Sequence, residues 1–253
     1  RGGGLPVVVV ILATLLFTRG QFPGEDQLGL VMMTGGALIA MIGWLDDCYH
    51  LSAALRFSCQ LLVSVLAVAV LSPADAGWLE KAFQVLIVAW SINFYNFMDG
   101  IDGLAGTEAV MAGFAGVGLA WHFGSGFILL PLLLASSALG FLWWNWPPAR
   151  IFFGDVGSCF FGYAFGCLTI AGSWGIHGGV AMWVILLGMF WLDATLTVLQ
   201  RMAKRERFWE AHRTHFYQRA VQADWSHRAV VLLFAGCNSL LVLFAYALRA
   251  RFQ

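Results

Sequence analysis

Long apolar runs separated by short polar stretches are the dominant pattern of this chain. Nine runs can be drawn, at 4–18, 28–45, 56–71, 82–97, 104–121, 127–144, 159–170, 180–199 and 229–248. At the rise of an α-helix, about 20 residues cross the roughly 30 Å hydrocarbon core of a bilayer. The pattern therefore predicts an all-α, polytopic integral membrane helical bundle of about nine spans, forming one transmembrane domain over 1–253. The opening run is short for a crossing and follows Arg1 directly, so the expectation is that an N-terminal first span of a longer protein precedes it.

Composition agrees with the pattern. The chain is 60% hydrophobic and only 11% charged, whereas soluble domains are about one quarter charged. Many tryptophans fall near the ends of apolar runs, as an interfacial belt requires. Lys and Arg balance Asp and Glu at 14 each, and the cations are scattered among apolar segments, which excludes a nucleic-acid groove. Cys48, Cys59, Cys159, Cys167 and Cys237 have neither CxxC nor zinc-finger spacing, so they read as packing residues.

The chemistry sits where the runs end. Starting Arg1 inside and alternating sides over nine crossings brings Asp46 and Asp47, Asp99 and Asp102, Asp155, and His212 and His215 out on one face. The same assignment puts ten of the fourteen Lys and Arg on that face, which the positive-inside rule makes cytoplasmic. In the stretch NFYNFMDGIDGLAG at 93–106, Asp99 and Asp102 are three apart and can face one site, with Gly100, Gly103 and Gly106 allowing a break between helices. A loop filling polar space beside the membrane is the blander reading.

Carboxylates beside hydrocarbon need water, a cation or a partner. Asp46 and Asp47 repel each other, and Arg56 is one partner within reach. Five aspartates against so few cations ask for more, and a divalent ion with hard oxygen ligands, Mg²⁺ or Mn²⁺, would offset the excess. Gly154 and Gly157 flank Asp155 and let backbone N–H groups approach an anion. His212, Arg213 and His215 suit a diphosphate or polar headgroup, with anionic lipid as the alternative ligand for the arginines. Asn93 and Asn96 can position a metal-bound group or a sugar without adding charge. Glu108 and Asp193 lie inside apolar runs and are candidates either to line the cavity or to pair with basic side chains.

Four stretches in order, Asp46-Asp47 after an apolar run, NFYNFMDGIDGLAG, PPARIFFGDVGS at 147–158 and EAHRTHFYQR at 210–219, resemble the polyprenyl-phosphate N-acetylhexosamine-1-phosphate transferases, which belong to glycosyl transferase family 4. The resemblance covers nearly the whole chain. It implies a single transmembrane transferase domain in the bacterial inner membrane, with its active site on the cytoplasmic face. The implied reaction moves a sugar 1-phosphate from a UDP-N-acetylhexosamine to undecaprenyl phosphate and releases UMP. Asp155 matches the family's magnesium ligand, and Asp46, Asp47, Asp99 and Asp102 match aspartates needed for activity. Asn96 matches the asparagine before the DG pair and Arg56 a basic position associated with phosphate. His212 and His215 match the last-loop histidine motif in its two-histidine form rather than the three consecutive histidines of the peptidoglycan branch. The nearest likeness is to the O-antigen initiating branch, whose sugars include N-acetylfucosamine and N-acetylquinovosamine. Membrane lipid is an expected partner, nucleic acid is not, and a homodimer is left open. The rival class is a secondary transporter with a cytoplasm-facing acidic cluster, which predicts acids near the bilayer midplane.

Overall fold

A computed structural model describes residues 2–22, 24–123, 127–171, 179–207 and 212–251. The chain begins with α1 (Gly4–Phe17). Next comes α2 (Asp26–Val31), which runs through a π-helical turn at Met32–Gly36 into α3 (Ala37–Tyr49). Then follow α4 (Ala53–Leu71), α5 (Trp78–Met98), α6 (Leu104–Phe123), α7 (Leu129–Asn145) and α8 (Gly154–Ala171). The last elements are α9 (Gly179–Leu186), α10 (Gly188–Ala203), α11 (Phe216–Gln222) and α12 (His227–Ala250).

The bundle is all-α and multi-pass, but it does not contain about nine spans. Among the described residues, five helices are long and apolar enough to cross a membrane: Asp26–Tyr49, Ala53–Leu71, Leu104–His122, Gly154–Ala171 and His227–Ala250. A sixth exists if Gly179–Leu186 and Gly188–Ala203, which bend by 79° at their junction, count together. The apolar runs overstated the number for three reasons. Helix α1 has 14 residues and α7 has 17, about 21 and 26 Å at the α-helical rise. Helix α5 has 21 residues, but Glu80, Lys81, Gln84, Asn93 and Asn96 make it less apolar than the five. The run at 180–199 is bent rather than straight. Alternation over nine crossings therefore no longer assigns sides, and Arg1, where it started, lies outside the described residues.

Helix α8 is the hub. From Val156 to Ala171 every residue is buried, with α1, α3 and α5 packed around it. Bilayer lipid is as apolar as leucine, so such contacts depend on close packing of small residues. A Cβ on Gly162 would come within 2.5 Å of the Ser91 carbonyl, and one on Gly166 within 3.0 Å of Val88 Cα. Beside this seam Tyr95 packs against Phe161, Phe165 and Phe190, with ring centroids 6.1, 5.8 and 5.3 Å away. All five cysteines are free thiols.

Helix N-termini leave N–H groups without intrahelical partners. Ser52 Oγ accepts from Leu55 N and Ser226 Oγ from Ala229 N, which starts α4 and α12 locally. Elsewhere a carboxylate from a distant element does the work. Glu25 accepts from Ile128 N and Leu129 N at 2.9 and 3.0 Å, Asp47 from Asp155 N at 3.0 Å, and Asp193 from Phe216 N and Tyr217 N at 2.8 and 3.2 Å. Each pairs a negative charge with the positive end of a helix dipole and pins two sequence-distant segments together.

Candidate active site

The ends of α3, α4, α5 and α8 meet at one polar cluster. Asp46 is buried; its Oδ1 accepts from Leu51 N at 2.7 Å and its Oδ2 from Arg56 Nη1 at 2.5 Å. The same Nη1 lies 3.8 Å from Asp155 Oδ2. Asn96 Nδ2 donates to Asp155 Oδ1 at 3.0 Å and to Ser158 Oγ at 2.9 Å. Two glycines make this approach feasible. Gly43 puts α3 against the Asp155 carbonyl, and Gly154, at φ +70°, leaves room where a Cβ would stand 2.6 Å from Asp47 Oδ2.

Below the cluster opens a cleft of about 600 Å³. Asp46, Arg56, Asn96 and Asp155 stand at its head, and Ile39, Ile42, Phe57, Leu86, Ala89, Trp90 and Val198 line its body. One turn below Arg56 and Asn96, Gln60 and Asn93 form an amide pair, with Asn93 Nδ2 2.7 Å from Gln60 Oε1. Gln60 escaped sequence reasoning because a lone glutamine in an apolar run carries no motif.

Asp99 and Asp102 part company. Asp99 ends α5, and its carboxylate accepts no hydrogen bond among the described residues. Burial, then the charges of Asp155 and Asp47, hold its proton well above the ordinary carboxylate range. Asp102 faces the PPAR loop: its Oδ2 accepts from Ala149 N at 3.1 Å and lies 3.3 Å from His227 Nδ1. Buried Asn145 completes this joint, accepting from Gly103 N at 2.9 Å and donating to Ile151 O at 2.8 Å. Neither His227 nor Asn145 stood out in sequence, because the partners that give them a role, Asp102 and Gly103, are remote from them along the chain.

The last loop docks under the same end. Tyr217 OH donates to Phe97 O at 2.8 Å, and a Cβ on Gly100 would lie 2.0 Å from that hydroxyl. His215 is buried, with Nδ1 3.4 Å from Asp193 Oδ1, and His212 stacks on it at 4.9 Å between centroids. Asp193 thus anchors the N-terminus of α11, with His215 beside it. Arg213 is exposed; residues 210 and 211 of the motif lie outside the described residues. Glu108 is away from the cleft, buried between α6 and α12, where Asn238 Nδ2 donates to Oε2.

Among the described residues no three His, Cys, Asp or Glu side chains form a ready cage for a metal. The donor chemistry nevertheless suits a partial shell. Asp47 accepts from Asp155 N, Asp155 Oδ2 lies 3.8 Å from Arg56 Nη1, and the Asp99 carboxyl accepts no hydrogen bond among the described residues. Hard oxygen donors with coordination positions left for water and phosphate match what Mg²⁺ takes.

Comparison with known proteins adds to this geometry. The profile of glycosyl transferase family 4 matches residues 29–173, a span that contains Asp46, Asp47, Arg56, Asn93, Asn96, Asp99, Asp102 and Asp155 and stops before the last loop. A probable undecaprenyl-phosphate N-acetylglucosaminyl 1-phosphate transferase of Bacillus subtilis (strain 168) is 30% identical over 251 residues, 92% of this chain and 68% of its own. A phospho-N-acetylmuramoyl-pentapeptide-transferase of Frankia casuarinae is 31% identical over 304 residues, 97% of this chain and 82% of its own. A decaprenyl-phosphate N-acetylglucosaminephosphotransferase of Mycobacterium tuberculosis (strain ATCC 25618 / H37Rv) is 29% identical over 280 residues, covering 92% and 68%. Similarity at one level to N-acetylglucosaminyl and muramoyl-pentapeptide enzymes leaves the O-antigen branch undistinguished from the peptidoglycan one.

Proposed function

Because the chain belongs to glycosyl transferase family 4, we propose that it transfers an N-acetylhexosamine 1-phosphate from a UDP-sugar to undecaprenyl phosphate, as the first membrane step of O-antigen or related polysaccharide synthesis. The products are UMP and an undecaprenyl-diphosphate sugar. The observation that carries the reading is the cleft itself, whose charged head of Asp46, Arg56, Asn96 and Asp155 caps an apolar body. That division matches a phosphate on a hydrocarbon chain. The UDP-sugar approaches from the cytoplasmic side, where His212 and the exposed Arg213 meet its diphosphate, with buried His215 stacked behind His212.

An acceptor phosphate oxygen attacks the sugar-linked phosphorus, and the bond to the UMP oxygen breaks. Arg56 supplies positive charge at the cleft head, oriented by Asp46. Both Asp46 oxygens are engaged, by Leu51 N and Arg56, so its role is to hold Arg56 rather than to attack phosphorus. Asp47 holds the first turn of α8, and with it Asp155, through Asp155 N. Asn96 fixes the Asp155 carboxylate. Asp155, with Asp99 beside it, would hold Mg²⁺ or Mn²⁺. Such a cation offsets the repulsion between two phosphates and stabilises charge on the transferring group. Asp102 acts through the PPAR loop.

The test is UMP release by purified protein with undecaprenyl phosphate and a panel of UDP-N-acetylhexosamines. Metal-dependent release is expected with one sugar, and Asp155→Asn is expected to lower it by at least about 100-fold. No release with any sugar refutes the assignment.

A further inference from the structure

We propose that Gln60 donates a hydrogen bond to a non-attacking oxygen of the acceptor phosphate, is held in place by Asn93, and so fixes how deep the lipid headgroup sits. This rests on the transferase reading above. Gln60 follows Arg56 by four residues on α4, so both side chains share a face about 6 Å apart along the axis. Gln60 is only 6% exposed, yet it lines the cleft.

Its amide has one orientation. Oε1 accepts from Asn93 Nδ2, and Asn93 Nδ2 also donates to Ala89 O at 2.8 Å. Nε2 is thereby directed away from α5, and it donates to no atom among the described residues. An amide N–H that a ligand cuts off from water without offering an acceptor is costly, so whatever fills the cleft must bring an oxygen to this group. The surrounding wall, formed by Ile39, Ile42, Leu86 and Val198, can meet only hydrocarbon.

A ligand that fits must therefore bring an acceptor oxygen one turn below Arg56 and continue as an apolar chain. A phosphate monoester of a long alcohol does both, whereas a nucleoside diphosphate has no hydrocarbon to place. A neutral amide also suits the position. A second cation there would compete with Arg56 for Asp46 and Asp155, while an amide donates without disturbing that pairing.

The test compares wild type with Gln60→Leu, which keeps the side-chain bulk, and with Asn93→Ser, which releases the amide without emptying the wall. Gln60→Leu is expected to raise the KM for undecaprenyl phosphate roughly tenfold, the scale of one hydrogen bond to a charged group. The KM for the UDP-sugar and the melting temperature should stay near wild type. Asn93→Ser should shift the same KM in the same direction, and it decides the matter if Gln60→Leu does not fold. An unchanged acceptor KM, or equal shifts for both substrates, overturns the inference.

If wild-type protein turns over no UDP-sugar, the transferase reading fails and binding decides separately. Farnesyl phosphate should then raise the melting temperature of wild type but not of Gln60→Leu. Equal stabilisation of both, or of neither, rejects the role of Gln60.

Discussion

Replacing Gly43 by alanine tests whether the contact between α3 and α8 sets the active geometry. A Cβ built at Gly43 stands 2.4 Å from Asp155 O, 2.6 Å from Asp155 C and 2.7 Å from Val156 N, against 3.4 Å for ordinary contact. All three atoms are backbone, so no side chain can swing aside, and the first turn of α8 must retreat from α3 by about 1 Å. Two energies oppose each other. Alanine favours a helix interior over glycine by about 0.5–1 kcal/mol, whereas overpacking costs about 1–3 kcal/mol. The clash wins, but modestly, and the protein should fold with a lowered melting temperature. Activity should suffer more. The retreat carries Asp155 away from Asp47 and Arg56, and a displacement of about 1 Å in a reacting constellation is worth about 100-fold in rate. UMP release and thermal melting, measured on Gly43→Ala and on Gly140→Ala, separate these effects. An added Cβ at Gly140, inside α7, meets nothing within 4 Å, so that variant should turn over as wild type does and melt no lower. Wild-type turnover by Gly43→Ala would refute the claim that this seam positions Asp155.

Asp102→Asn keeps an acceptor for Ala149 N and should retain UMP release within about tenfold of wild type. Asp102→Ala leaves that N–H unmet and should lose about 1–3 kcal/mol of stability; a loss of activity in Asp102→Asn as deep as in Asp155→Asn would place Asp102 on the substrate instead. Burial, then His215 and Arg201, holds His212 down at about 4, below the ordinary value of about 6.5. The unfolded chain therefore takes up that proton first, and the contribution of His212 to stability, complete above about pH 6.5, fades as the pH falls to about 4. Between about pH 7 and 4.5 the melting temperature should drop less in His212→Gln than in wild type, and equal drops would refute it.

What could be read from the sequence was whatever is written locally. Asp46-Asp47, Asn96 and Asp155 each stood out because a carboxylate or amide at the end of an apolar run needs a reason, and the fold brings them within bonding distance of one another or of Arg56. Span number was not legible, because hydropathy counts apolar length and says nothing about the 79° bend between α9 and α10. Nor was the division of labour between Asp99 and Asp102. Their spacing of three allows a shared face on a continuous helix, but α5 ends at Met98 and α6 starts at Leu104, so the two carboxyls sit in a break, where Asp102 meets Ala149 and His227 while Asp99 accepts no hydrogen bond among the described residues. Gln60, Asn145 and His227 were silent for the same reason: each bonds to a residue far away along the chain.

The arrangement of acids also bears on the rival transporter reading. A carrier needs ionisable groups that load and unload near the bilayer midplane. Here Asp46, Asp47 and Asp193 are committed to an arginine or to helix N-termini, contacts that hold the polar ends of α3, α8 and α11 in fixed register. Glu108 is buried between α6 and α12, where Asn238 meets one of its two oxygens. Such a network resists the rocking of one half against the other that alternating access demands. On the proposed reading it holds Arg56, Asp155 and the last loop still around two phosphates that would otherwise repel each other, which is the requirement of phosphoryl transfer.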